Sequence, residues 1–472
     1  AKTHSSSVLQ PFLPKIVPGV VAAVNDKYYK ISAEAIGTVE QLLKALTPPR
    51  SRSMDRIYQT DLHKLYEVVI NRVSATDADS EVRQRAIHAL GILLARTACP
   101  EGASLLSPAD RTTALNLLND RLKNETSRLA AVRAIDAVAT LSTSTDQLQP
   151  KWIREVSLEL SAQLRKANRS LRGASLSALK SLVLTSAAKG SLDVPTIKGL
   201  VSALLPLLET VDLHLLSPAL LVLAALVTEE PKIVVTDQLN LALCGLLTGA
   251  LGGSVLEAML VLVTNIGRKG VGRELMTGLL KDVSINGDPA VVGKVIGTLL
   301  VYGESSVGVK IDNFMDELHN TQSEDAKRCL ALAVLGEAGL RLGGKSPLKS
   351  ATFTAQFKSE SDKVRLAAAV ALGRAGAGNI PVYLPDILST MDKGDSTQYL
   401  LLHSIKEILQ QAGNNSADIS NYTKSIWDRL LTASQAEDNK AVGAECIGRL
   451  VIIDPRTYMP QLQVRYPSYV FD

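Results

Sequence analysis

Aromatic side chains are scarce in this chain. Phe, Tyr and Trp make up 4% of its 472 residues, with 5 Phe and 2 Trp, although 46% of the sequence is hydrophobic. Compact cores usually lean on large rings. A core here has to be built from Leu, Ala, Val and Ile on closely packed helices. Cysteine is also rare. Cys99, Cys244, Cys329 and Cys446 stand far apart, and no pair has CxxC or metal-ligand spacing. That excludes a disulfide scaffold and reads as four reduced, buried thiols in a cytoplasmic or nuclear protein. No run of 18 apolar residues occurs. The longest, residues 215–227, is too short to span a bilayer, and no charged-then-apolar leader opens the chain, so no membrane partner is expected. Charge of one sign is missing too. The 51 basic and 47 acidic residues leave a net +4 and are interspersed, as on an ordinary surface, so no nucleic-acid partner is expected.

What is present is a helical outline that returns. Val364-Arg365, then Ala368, then Leu372-Gly373, has the same spacing as Val82-Arg83, Ala86 and Leu90-Gly91. The outline is anchored at Ile36, Leu90, Ile135, Leu179, Leu223, Leu262, Leu299, Leu335, Leu372, Ile405 and Ile447. The anchors are about 41 residues apart on average, within the range of HEAT and armadillo arrays. In one copy Val82, Ala86, Leu90 and Leu93 share one helix face. Gly91, Gly336, Gly373 and Gly448 follow their anchors in the same register. Glycine inside a helix costs up to about 1 kcal/mol against Ala, so its recurrence predicts close backbone packing.

Each period reads as two helices. Ser107 caps a first helix through Leu115, Leu118 and Leu122, and a break at Lys123-Asn124 leads to a second, from Glu125 to Thr140. The fold expected is all-α: an α-solenoid of about eleven HEAT-type hairpins, continuous over 1–472. A mobile polar loop is expected near 47–54, further breaks at 343–347 and 376–385, and the least regular stretch at 231–308. Residues 1–14 read as entry into the middle of a repeat. The chain is therefore expected to be a piece of something longer.

No catalytic frame accompanies the repeat. Gly339 to Ser346 (GLRLGGKS) fits the P-loop pattern, but that chemistry needs a buried strand before the loop and a helix after it. Here the preceding segment has helical repeat spacing and Pro347 follows, so a glycine-rich helix end is the simpler reading. Gly267, Gly270 and Gly272 likewise read as a helix end. The six histidines are dispersed and no GxSxG elbow is present. No enzyme activity, cofactor or metal is expected.

One surface stripe is a candidate for binding. Across residues 397–411, Leu401, Ile405, Ile408 and Leu409 form an apolar face. Tyr399, His403, Lys406 and Gln410 lie opposite, at helical steps. A tyrosine among polar groups marks contact surfaces, and a merely solvated face would show the same pattern. The basic residues Arg83, Arg172 and Arg365 are expected to support packing between repeats.

Several strings resemble one family. Residues 398–408 (QYLLLHSIKEI), 444–450 (AECIGRL), 453–455 (IDP), 460–462 (PQL), 378–385 (GNIPVYLP) and 121–129 (RLKNETSRL) are similar to segments of the cullin-associated, neddylation-dissociated proteins. The match runs in the family's order and is closest over 112–183 and 325–463. The resemblance implies a HEAT solenoid that wraps a cullin not carrying its ubiquitin-like modifier. It implies a non-catalytic role in exchanging substrate receptors on cullin-RING ubiquitin ligases. The expected partners are cullin and its RING subunit, with this chain matching the middle of the solenoid. A cut array exposes apolar surface at its ends, so a companion N-terminal segment, or the rest of its own chain, is expected as well. The repeat alone fits another HEAT carrier too, such as a nuclear transport receptor or a phosphatase scaffold.

Overall fold

The computed structural model describes residues 5–47, 58–75, 79–97, 106–142, 147–209, 212–320, 322–393, 397–412 and 416–465. The expected loop near 47–54 lies, apart from Thr47, outside the described residues, as does Cys99. Among the described residues every regular element is helical. The chain divides into two compact units, Ala1–Val234 and Val235–Asp472.

Each unit is a stack of helical hairpins of the α-solenoid type. The second helices of the hairpins are labelled in order. The first unit holds α1 (Tyr29–Leu46), α2 (Ser80–Arg96), α3 (Arg128–Leu141), α4 (Arg169–Leu184) and α5 (Leu213–Glu229). The second unit holds α6 (Gly253–Arg268), α7 (Pro289–Gly303), α8 (Asp325–Leu342), α9 (Asp362–Gly378), α10 (Gln398–Ala412) and α11 (Lys440–Ile453). All eleven anchor residues fall in these helices and are buried, the most exposed being Ile447 at 7%.

Helix starts follow local chemistry. Ser107 precedes Pro108–Lys123 and its side chain accepts from Asp110 N at 3.1 Å, with Pro108 in the first turn. The second helix of that hairpin begins at Arg128, later than the spacing predicts, because Asn124 to Ser127 forms a turn first. The expected break at 376–385 is shorter in the structure. The α9 helix runs to Gly378, and Ile380–Met391 starts almost at once, with Pro381 in its first turn and Pro385 inside it. A first-turn proline loses no helical hydrogen bond. Between α6 and α7 the first helix is the most broken, passing from Arg273–Gly278 through a π-turn, Leu279–Val283, to Ser284–Asn286.

Second helices stack on one another within each unit, and the glycine after the anchor governs how closely. A Cβ on Gly91 would lie 2.7 Å from the Cβ of Ala134, and one on Gly336 would lie 2.8 Å from the Cα of Ala371. A Cβ on Gly373 would collide with the carbonyl of Ser404 and stand 2.7 Å from Glu407 Cβ. In each case the partner is the next helix, so these positions admit only hydrogen. Gly448 differs: nothing lies within 4 Å of its would-be Cβ.

Where a basic residue stands seven before its anchor, its role varies. Arg172 crosses to Asp212 of the next hairpin at 3.1 Å. Arg365 instead donates to the carbonyls of Ser359 and Glu360 in its own hairpin, as Arg128 does to Leu122 and Lys123. The tie between hairpins that spacing did not suggest is Arg111. It is buried and donates to the carbonyls of Leu94 and Gln147, joining three consecutive hairpins.

Of the cysteines, Cys446 is fully buried and its thiol is pushed up to about 12, chiefly by desolvation. Cys244 and Cys329 are only half-buried, which departs from the expectation of four buried thiols. Two helical stretches, Ser6–Val24 and Pro289–Val307, are long and apolar enough by composition to cross a membrane. The second is 56% buried within its unit, and the first only 22%.

Candidate functional site

The expected stripe lies on α10. Leu401, Ile405, Ile408 and Leu409 pack into the second unit, which fixes the rotation of the helix and turns the opposite face outward. Tyr399 is 41% exposed, and its ring meets the His403 ring edge-on, with centroids 4.8 Å apart at 74°. Gln410 is exposed further along the same face. The structure thus brings Tyr399, His403 and Lys406 into one cluster, with Gln410 beyond it.

Lys406 is already engaged. Its Nζ is 2.8 Å from Glu445 Oε2 on α11, and Arg449 reaches the other carboxylate oxygen of Glu445 at 2.8 Å. Hydrogen bonds from Lys406 and then Arg449 hold the Glu445 carboxyl below its ordinary value. Sequence reasoning missed Glu445 and Arg449. The signal was available, since Glu445 stands two residues before its anchor, the same register as His403.

His403 is half-buried, and its Nε2 is enclosed without a hydrogen-bond partner among the described residues. Burial, then the neighbouring Lys406 charge, pull its pKa below the ordinary value, with Glu445 acting in the opposite sense. An aromatic ring, an imidazole with an enclosed, unpartnered Nε2 and a bridged cation lie side by side on this face of α10. They do not form a catalytic frame.

A row of charge, buried at Glu337 and Arg374, ties α8, α9 and α10 together. Glu337 is fully buried and ion-pairs with Arg374, while Arg341 Nε donates to it at 2.7 Å. Arg374 also reaches Glu407 at 3.5 Å. Desolvation, then the Arg374 charge, lower the pKa of the half-buried Lys294 on α7. Two residues after their anchors, α8 to α11 therefore carry Glu337, Arg374, Glu407 and Arg449, alternating in sign.

The P-loop-like string falls where a helix ends. Gly339 is inside α8, with its would-be Cβ 2.6 Å from Ala375 Cβ, and α8 continues to Leu342. Gly343 takes a positive φ of 57°, a short 3-10 turn Gly343–Lys345 follows, and no helix opens from Ser346. Its backbone amides are therefore not arranged around a phosphate in the way that motif requires. Among the described residues no three His, Cys, Asp or Glu side chains are grouped to hold a metal ion.

Known proteins resemble the chain along its length. A family model described as CAND1-like, TPR repeats, matches residues 1–90. The chain is 50% identical over 465 residues to the Cullin-associated NEDD8-dissociated protein 1, C-terminal part, of Emericella nidulans, covering 98% of this chain and 44% of that protein. It is 29% identical over 495 residues to the Cullin-associated NEDD8-dissociated protein 1 of Arabidopsis thaliana, covering 99% of this chain and 39% of that one. Among solved structures, the Kap95:Nup1 complex matches with a TM-score of 0.55 at 11% identity, over 97% of this chain and 60% of that chain. That likeness shows the helical-repeat fold alone. The chain spans less than half the length of the curated relatives it matches.

Proposed function

The chain belongs to the family of cullin-associated NEDD8-dissociated proteins, and on that premise we propose that it is a non-catalytic scaffold segment that binds cullin lacking its NEDD8 modifier. In this reading it takes part in exchanging substrate receptors on cullin-RING ubiquitin ligases, in the cytoplasm or nucleus. The observation that carries the proposal is the 50% identity sustained over 98% of the chain. That identity extends along nearly the whole chain, whereas the likeness to the Kap95:Nup1 complex, at 11% identity, is confined to fold.

The contact surface proposed is the stripe Tyr399, His403, Lys406 and Gln410, extended by Glu445 and Arg449 on α11. The test is co-purification of cullin and its RING subunit with the chain and with the double variant Tyr399→Ala, Lys406→Glu. Loss of cullin from the variant at unchanged thermal stability supports the stripe. Equal recovery assigns cullin binding to another face.

The first hairpin suggests how a companion segment would join. Its outer side is a groove lined by Gly19, Val20, Ala23, Ile31 and Ala35, with Ile31, Val8 and Phe12 exposed nearby. Ala35 directly precedes its anchor, the register at which Ala134, Ala371 and Ser404 each receive the preceding hairpin. An added N-terminal hairpin, from the rest of its own chain or a separate polypeptide, would seat there. Ile31→Asp should abolish binding of such a segment and leave the second unit's thermal transition unchanged.

A further inference from the structure

The ends of α6, α7 and α8 carry a feature that the cullin reading does not use. Tyr302, in the last turn of α7, has the Arg268 guanidinium from α6 at 4.8 Å from its ring centroid and that of Arg341 from α8 at 5.7 Å. Two arginines from the neighbouring hairpins thus converge on one aromatic ring. Arg341 is further held by Glu337.

The loops that leave α6 and α7 lie against one another, and the loop after α8 meets the end of α9. Gly270, Gly308 and Gly343, one from each connection, all take positive φ. Gly308 places its would-be Cβ 3.7 Å from Arg273 Nε, and Gly270 places its own 3.9 Å from Ser306 Cβ. Glu304, directly after α7, is the one non-glycine residue with positive φ among those described, at 45°. The stretches 268–274, 302–310 and 341–349 hold Arg268, Lys269, Arg273, Lys310, Arg341, Lys345 and Lys349 against only Glu274 and Glu304. All but Arg341 of those cations are exposed. Cations at helix C-termini are favoured by the helix dipole, which accounts for one per helix. It does not account for an excess continued through the loops and across three hairpins on a chain that is nearly balanced overall.

We propose that this edge of the second unit is a docking site for an acidic, carboxylate-rich segment of a protein partner. The exposed Arg268 guanidinium, fixed against Tyr302, presents forked donors that match a carboxylate, and the Glu337–Arg341 pair beside it shows the same recognition within the molecule. The lysines around them supply a steering field. Nucleic acid fits less well. Single-stranded bases need open aromatic faces to stack on, and the Tyr302 ring is already attended by guanidinium groups. The site shares no residue with the Tyr399 stripe, which runs along α10, and the proposal does not depend on cullin being the partner.

The test is fluorescence anisotropy on the whole chain with a labelled poly-glutamate peptide, and separately with a labelled single-stranded oligonucleotide. Arg268→Glu with Lys345→Glu is compared with a control of equal charge change, Lys151→Glu with Lys166→Glu in the first unit. The expected result is peptide binding that the site variant weakens by about tenfold and the control by less than about twofold. Tyr302→Ala should also weaken it while Tyr302→Phe retains it, because either ring can hold the arginines. All four exposed lysine and arginine changes avoid the core, and thermal melting checks the fold. Equal weakening by site and control variants, tighter binding of the oligonucleotide, or no peptide binding by the unaltered chain would each overturn the proposal.

Discussion

Lys406 on α10 and Glu445 on α11 are joined by an ion pair of 2.8 Å across two consecutive hairpins. Lys406 stands directly after its anchor, where α8 and α9 have glycine. A glycine there admits the backbone of the next helix. A lysine instead lays its stem across the seam and reaches a carboxylate beyond it. Among α8 to α11 the position after the anchor is glycine at Gly336, Gly373 and Gly448 and lysine on α10 alone, in the region proposed to meet a partner.

The pair is partly exposed, so its loss should matter little for stability. Lys406→Ala is expected to cost no more than about 1 kcal/mol. The swap Lys406→Glu with Glu445→Lys should recover part of the stability Lys406→Glu loses, less the repulsion from Arg449. It should not recover cullin binding if Lys406 is read by a partner. Chemical denaturation and co-purification of the same three proteins separate the two effects.

The buried row should behave differently. Arg374→Ala leaves fully buried Glu337 with Arg341 as its remaining ion-pair partner among the described residues, and removes the link to Glu407. Breaking a buried pair from one side costs about 3 kcal/mol or more. The loss should appear in the unfolding of the second unit, followed by hydrogen exchange in α8 and α9. A change below about 1 kcal/mol would mean that water reaches the row.

The glycines make opposite predictions by position. Gly336→Ala and Gly373→Ala force backbone apart and should destabilise by about 1–3 kcal/mol. Gly448→Ala meets open space and should stabilise by up to about 1 kcal/mol, the ordinary gain of Ala over Gly in a helix. Thermal melts of the three variants check both signs.

His403 contributes a pH dependence. Its pKa is lowered in the folded protein from 6.5, so it stays neutral where the unfolded chain takes up a proton. Its share of stability is complete above the unfolded pKa and is lost as pH falls through that value toward the lower folded one. The melting temperature of the second unit should therefore drop on mild acidification, and His403→Gln should lessen that drop. An identical pH profile for the variant would mean that His403 is not desolvated.

The period of the fold was legible because each anchor must be buried whatever its neighbours are. Ile36 and Ile447, some four hundred residues apart, follow one rule. Register predicts close packing at Gly91, Gly336 and Gly373, where it occurs, and equally at Gly448, where it does not. Contacts between hairpins could not be read from register, because they depend on the rotation of one helix against the next. Lys406 and Glu445 are separated by a whole repeat, and nothing local to either indicates the other. Arg172 and Arg365 share a register and still differ, one crossing to Asp212 and the other closing its own loop. The convergence of Arg268 and Arg341 on Tyr302 joins three repeats and was invisible for the same reason.

The central claim is recognition of unmodified cullin, and its most direct test is a titration of the chain, with and without the preceding family segment, against a cullin-RING complex. The complex is prepared in two forms, bare and carrying NEDD8. The account predicts saturable binding to the bare form, weakened at least about tenfold by the modifier. Absence of binding in both arrangements, or equal binding to the two forms, would contradict it.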